Sequence, residues 1–201
     1  MPIFFQHQIN ETTRLGIWKI EETEDFFKHN VPLQREVTHP HKRLQHLAGR
    51  FLLQFLFPDF PYGLIQIADT RKPFLPDEQY HFSISHCGDY AAAIVSRNSR
   101  VGIDIEVPVE KITRISNKFL RQDELDRFPN NDIQHLTLSW SAKEAVFKWY
   151  GEGKVDFREH IHLQKLHGEH QVIDCFFVKT NRQLLANYRQ FPHLTLVWIA
   201  D

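Results

Sequence analysis

The heptapeptide Val101-Gly102-Ile103-Asp104-Ile105-Glu106-Val107 decides how the rest of the chain is read. β-Branched residues at every second position make it a strand. Its period of two sends Gly102, Asp104 and Glu106 to one face and Ile103 and Ile105 to the other. Two carboxylates side by side on a mostly apolar strand cost energy unless a cation sits between them. Hard oxygen ligands at this spacing suit magnesium, which keeps several waters and takes phosphate oxygens as further ligands. Gly102, lacking a side chain, would leave space beside them for a ligand to approach the backbone. A solvated strand face whose carboxylates pair with surface lysines has the same pattern, so the motif alone leaves both readings open.

Working back from this strand, Phe82 to Ile84 and Tyr90 to Ser96 alternate as strands. The turn Arg97-Asn98-Ser99-Arg100 leads into 101–107, so the middle of the chain is expected to form one small sheet. Before it lie a short strand, Ile65 to Ala68, and an extended loop marked by Pro73 and Pro76 that carries Arg71 and Lys72. From Gln34 to Phe57, Leu44, Leu47, Ala48, Phe51, Leu52 and Phe55 recur at helical spacing until Pro58. The helix so predicted carries Lys42, Arg43, His46 and Arg50.

Working forward, Asp132 to Tyr150 returns to a helical pattern with Leu136, Trp140, Val146 and Phe147 among its apolar positions, closed by Gly151-Glu152-Gly153. Strands follow near Ile161 to Leu166, Val172 to Val178 and Leu194 to Ala200. Each half offers one long helix and a few antiparallel strands. The fold class is therefore α+β, in two similar lobes divided as residues 1–100 and 101–201.

The 201 residues include 24 basic and 25 acidic side chains, so no global field draws the chain to nucleic acid or an anionic membrane, and any anion must be held locally. Two cysteines, Cys87 and Cys175, form neither a disulfide scaffold nor a zinc-site spacing, which points to a reducing cytosol. The segment Met1 to Lys19 has no signal-peptide pattern and no apolar run spans a bilayer, so a soluble, cytoplasmic protein is expected. His39-Pro40-His41 lacks the partners of a metal site and reads as a surface loop.

A second constellation lies in Trp140-Ser141-Ala142-Lys143-Glu144-Ala145-Val146-Phe147-Lys148, where Glu144 and Lys148, four apart, share a helix face. An ordinary exposed ion pair has the same spacing, and Trp140 and Phe147 read as core. The order of these blocks, a glycine-isoleucine-aspartate-isoleucine-glutamate strand and then, some forty residues on, a tryptophan-serine-Xaa-lysine-glutamate-alanine helix, resembles the 4'-phosphopantetheinyl transferase superfamily. Lys72-Pro73-Phe74, then Phe82-Ser83-Ile84-Ser85-His86-Cys87-Gly88-Asp89, and Phe119-Leu120 with Glu124 extend the resemblance. Length and upstream region look like the long, surfactin-synthetase type, which has two pseudo-symmetric lobes, each a small antiparallel sheet on a long helix.

The resemblance implies a holo-[acyl-carrier-protein] synthase reaction, in which the phosphopantetheine arm of coenzyme A moves to a serine of an apo carrier protein and 3',5'-ADP leaves. It implies Asp104, Glu106 and Glu144 as magnesium ligands and Lys148 beside the phosphates. It further implies that Lys72, Ser85 and His86 contact coenzyme A, with Arg50, Lys42 and Arg43 on its adenosine side. As the helix-borne ligand, Glu144 is also the expected general base. The carrier would dock on Ile112 to Phe128, where Lys111, Arg114, Lys118 and Arg121 offer charge to an acidic helix. Two lobes supply both halves of a site, so a monomer is expected. A non-catalytic carrier-protein or coenzyme A-binding module of the same fold, and a magnesium-dependent phosphate-ester hydrolase, are the alternatives.

Overall fold

The computed structural model describes residues 3–31, 37–127 and 132–201. It opens with a hairpin of β1 (Ile3–Asn10) and β2 (Thr13–Lys19), followed by a short helix, α1 (Glu24–Lys28). The long helix α2 (Pro40–Leu56) is six residues shorter at its start than the apolar pattern suggests. Pro40 fixes its first turn, and the His39 side chain accepts from the Lys42 N–H. Of the expected helical stretch, residues 34–36 lie outside the described residues. A two-stranded ribbon of β3 (Gln66–Ile67) and β4 (Pro73–Phe74) holds the Arg71-Lys72 loop. Next come β5 (His81–Cys87), β6 (Tyr90–Ser96) and β7 (Val101–Glu106).

The chain then runs through a 3-10 turn, Glu110–Arg114, and the short helices α3 (Ser116–Phe119) and α4 (Gln122–Arg127) to the long helix α5 (Ile133–Tyr150). Asp132 caps α5 by accepting from the His135 N–H at 2.8 Å, and Gly151 ends it at φ 75°, which glycine adopts without strain. A last short helix, α6 (Phe157–His160), leads into β8 (Ile161–His167), β9 (Val172–Phe177), β10 (Arg182–Phe191) and β11 (Leu194–Ala200).

The fold is thus α+β, with two larger antiparallel sheets, ordered β1-β2-β6-β5 and β7-β11-β10-β9-β8, beside the β3-β4 ribbon. Helix α2 lies across β2, β5 and β6, and α5 across β7 and β11. The expectation of one central sheet is corrected here. Strand β7 leaves β5 and β6 and pairs with the C-terminal strand, with Ile103 opposite Trp198 and Asp104 opposite Val197.

Strands β5 and β7 still run side by side, joined through side chains. The N–H groups of Ile103 and Ile105 donate to the hydroxyls of Ser83 and Ser85 at 3.2 and 3.4 Å, and that of Val107 to Cys87 Sγ at 3.4 Å. One core lies under each long helix. A third joins the sheets, setting Leu15, Ile17, Ala92 and Ile94 against Ile103, Ile105, Leu194 and Leu196. Among the described residues, no helix is long and apolar enough to cross a membrane.

Candidate functional site

The alternation of β7 puts Ile103 and Ile105 into the seam between the sheets and turns Gly102 and Asp104 toward α5. The close approach at Gly102 is made by the helix itself and not by a ligand. A Cβ there would lie 2.1 Å from the Ala145 carbonyl oxygen and 2.6 Å from the Trp149 nitrogen. This corrects the expected ligand space: the glycine seats α5 and thereby sets how near its side chains come to Asp104.

Asp104 is 2% exposed, which excludes the solvated-face reading. Its Oδ1 accepts from Ser85 Oγ at 2.9 Å and from Lys148 Nζ at 2.6 Å, and Lys148 also donates to Ser85 Oγ at 2.8 Å. β5, β7 and α5 each supply one member of this triangle. Nor is Lys148 an exposed helix partner of Glu144, because the short bonds of its ammonium go to Asp104 and Ser85. Asp104 Oδ2 is buried and has no hydrogen-bond partner, an arrangement that calls for an explanation such as an ion.

Two further carboxyls share this environment. Loss of water is the main reason the Glu144 carboxyl is pushed up to about 7; Lys148 opposes the rise, and Asp104 and Glu106 add to it. Glu106 is raised by burial and then by Asp104, against hydrogen bonds from the Cys87 thiol and the Trp140 indole, whose Nε1 stands 3.4 Å from Oε1. Trp140 packs against Phe119 and Phe157 as expected, and its N–H contact to Glu106 is a role its sequence position does not announce.

Three carboxyls facing one ammonium leave the site acidic. The hard oxygen donors and the orphaned Oδ2 fit a divalent cation such as magnesium. In this conformation, no three His, Cys, Asp or Glu side chains among the described residues are grouped closely enough to hold a metal ion.

The other residues singled out from the sequence are spread around this centre. His86 follows Ser85 on β5 with part of its side chain open to solvent, and its imidazole is held below its ordinary pKa by partial loss of water around the ring and then by the Lys148 and Lys42 ammoniums. Lys42 is exposed on α2. Arg43 is occupied by Glu24 at 2.8 Å and by the Val37 carbonyl at 2.8 Å, and the buried Arg50 donates through Nε to His46 Nε2 at 3.0 Å. Lys72 reaches the end of α5, where its Nζ donates to the Lys148 carbonyl at 2.6 Å. Beside it opens a mainly apolar cavity of about 220 Å³, whose lining includes Pro73, Phe82, Ile84, Phe147 and Lys148.

Sequence reasoning missed the buried pair of Lys143 and Glu124, both side chains 0% exposed. Lys143 Nζ reaches both Glu124 oxygens at 3.0 and 2.8 Å and the Phe157 and Ile161 carbonyls at 2.9 and 2.7 Å. Glu124 also accepts from the backbone N–H of Leu163 and of Arg121. The apolar spacing of α5 hides a lysine that faces inward, and the glutamate that reveals it lies 19 residues earlier.

Comparison with known proteins points to the same part of the chain. Residues 100–195, which carry Asp104, Glu106, Glu124, Glu144 and Lys148, match the family model described as the 4'-phosphopantetheinyl transferase superfamily. The matched segment covers just under half of the chain.

Enterobactin synthase component D of Escherichia coli K12 is 35% identical to the chain over 113 residues, covering 53% of the chain and 54% of the relative. The protein of the same name from Salmonella typhi is 32% identical over 117 residues, covering 55% and 49%. The L-aminoadipate-semialdehyde dehydrogenase-phosphopantetheinyl transferase of Xenopus laevis is 30% identical over 130 residues, covering 53% and 43%. The chain spans about half the length of the curated relatives it matches. Two of these names are of an enterobactin synthase component and the third is of an aminoadipate-semialdehyde dehydrogenase-directed transferase, and none singles out the surfactin-synthetase type.

Proposed function

We propose that this protein is a 4'-phosphopantetheinyl transferase of the long, two-lobed kind, acting in the cytoplasm as a monomer on coenzyme A and an apo acyl or peptidyl carrier protein. One observation carries the reading. Asp104, sealed from water, binds Lys148 and Ser85 through one oxygen, leaves the other unpartnered, and has two carboxyls near enough for each to be raised by its charge.

Asp104, Glu106 and Glu144 are the residues to hold magnesium, which when bound neutralises charge on the pyrophosphate and on departing 3',5'-ADP. Lys148, anchored on Asp104 and Ser85, supplies a fixed cation at the same place, so the site needs no reorganisation as negative charge develops. The carrier serine oxygen bonds to the β-phosphorus as the bond from that phosphorus to the 3',5'-ADP oxygen breaks. Glu144, the helix-borne carboxyl of the site, which burial raises to about 7 in the metal-free protein, would take the serine proton, directly or through a water. The protein's share of catalysis is therefore positioning and charge stabilisation.

The apolar cavity between Pro73, Phe82 and Phe147 suits the adenine ring, with Lys148 in its wall toward the phosphates. Lys42 and His86, exposed and close enough to interact, suit the 3'-phosphate better than Arg43, which is occupied by Glu24.

Intact-mass spectrometry of a panel of apo carrier proteins, incubated with the protein, coenzyme A and magnesium, tests the reaction. A metal-dependent gain of one phosphopantetheine mass, lost in Asp104→Ala, is expected. Failure to load any carrier despite measurable coenzyme A binding would favour a non-catalytic binding module.

A further inference from the structure

The loop Thr70-Arg71-Lys72 grips the C-terminal end of α5 from the other lobe. Besides its 2.6 Å bond to the Lys148 carbonyl, Lys72 Nζ reaches the Trp149 carbonyl at 3.5 Å, and Thr70 Oγ1 donates to the Gly151 carbonyl at 3.0 Å. Carbonyls at a helix C-terminus lack intrahelical donors and carry the negative end of the helix dipole, so an ammonium and a hydroxyl are well placed there.

The sequence after the helix is built to admit them. A Cβ on Gly151 would lie 2.5 Å from Lys72 Cδ and 2.6 Å from its Nζ, and one on Gly153 would lie 3.1 Å from Thr70 Cγ2. The loop is fixed in turn, since the Ala68 N–H donates to the Lys72 carbonyl at 2.9 Å, the Arg71 N–H donates to the Ala68 carbonyl at 2.8 Å, and Arg71 sits at φ 66°. Lys72 also lines both the 220 Å³ cavity and a second cavity of about 300 Å³ bordered by Phe74, His81, Arg100 and Tyr150. Burial, and then the Arg100 guanidinium, lowers its amine to about 8, so the ammonium bonds to the helix end are made against a cost in lost water.

We propose that Lys72 is a positioning residue: with Thr70, it clamps the last turn of α5 to the N-terminal lobe, which holds Lys148 over Asp104 and Ser85. An ammonium drawn away to a phosphate would forfeit its bond to the Lys148 carbonyl and loosen the turn that carries Lys148. The clamp stands on geometry alone, while its effect on turnover rests on the transferase reading above.

Two readouts on the full chain separate these parts. In hydrogen exchange, Lys72→Met is expected to speed the amides of residues 148–151 about tenfold and leave those of residues 137–142 unchanged. Thr70→Val, which removes no charge, should loosen the same four residues about threefold. In carrier loading, Lys72→Met should lower kcat about tenfold with the KM for coenzyme A within about twofold, and Lys72→Arg should recover most of the loss.

Unchanged exchange at residues 148–151 in both variants overturns the clamp, whatever the activity. So does a rise of about tenfold or more in the KM for coenzyme A at constant kcat, which marks a phosphate contact. If the wild type loads no carrier, the transferase reading fails and exchange alone decides the clamp. If Lys72→Met does not fold, Thr70→Val decides it by the same measurement.

Discussion

Burial lifts Glu144 from 4.5, the value of an isolated carboxyl, to about 7, and this has opposite effects on activity and stability. The folded protein holds a proton that the unfolded chain releases. That contribution to stability is complete below about pH 4.5 and is lost as pH rises through 7. Glu144→Gln keeps the shape without the charge. In metal-free buffer, it should melt above the wild type at pH 8 and level with it at pH 4; with magnesium and coenzyme A present, its carrier loading should fall about a hundredfold or more. A melting point at pH 8 at or below the wild type's would show that Glu144 is not held against its charge. Gly102 gives a second test, since Gly102→Ala sets a Cβ against the backbone of α5. A cost of about 3 kcal/mol, seen as a melting point lower by about 6 to 12 °C, is expected. The acidic face of β7 was legible in the sequence because a strand's period fixes which residues share a face. What lies opposite Gly102 was not, because the helix that fills the space begins 31 residues later.

Helix α5 supplies Glu144 and Lys148 to the site, and its inward face shows how an element can be held by charge without showing an ion pair at its surface. Removing Lys143 would leave Glu124 buried with its charge uncompensated. Lys143→Met should therefore cost about 3 to 5 kcal/mol in denaturant unfolding, far above the ordinary price of a surface pair. The stretch before α5 holds the expected carrier-docking face, a 3-10 turn and two short helices, with Phe128 outside the described residues. Lys111, Arg114 and Lys118 are exposed, whereas Arg121 is drawn to Asp123 at 2.9 Å. Arg114→Glu with Lys118→Glu should raise the KM for the carrier about tenfold while leaving coenzyme A binding unchanged. Equal carrier KM values would place docking elsewhere. Elements with a strong period or a clear stop were legible, such as α5 with Asp132 and Gly151. Strands β1, β2 and β10 were not, because their polar residues mask the alternation and the pairing that stabilises them is non-local. The membership of β7 in the C-terminal sheet was hidden for the same reason, since its partner, β11, lies at the far end of the chain.

At the scale of the molecule, the site exists because two sheets that share no backbone ladder meet along β5 and β7. Ser85 comes from the first sheet, while Asp104 and Lys148 come from the second and its helix. Division of the chain near residue 100 into two lobes should therefore not give two independent domains. A first fragment, 1–98, would expose Leu15, Ile17, Ala92 and Ile94; a second, 99–201, would expose Ile103, Ile105, Leu194, Leu196 and the cluster's Trp198. Burying a side chain of this size contributes about 1.5 to 3 kcal/mol, so an open seam of this many residues is enough to drive aggregation of either half alone. Together, the fragments can rebuild this shared core, and the cut falls in the largely exposed turn 97–100, where a chain break disturbs little packing. Expressed singly, each fragment should be insoluble or molten. Co-expressed with a tag on one, the two should copurify in equal amounts, bind coenzyme A and load a carrier. A soluble 99–201 fragment that binds magnesium and coenzyme A on its own would show that Ser85 and the Lys72 loop are dispensable, and that the second lobe is the whole site.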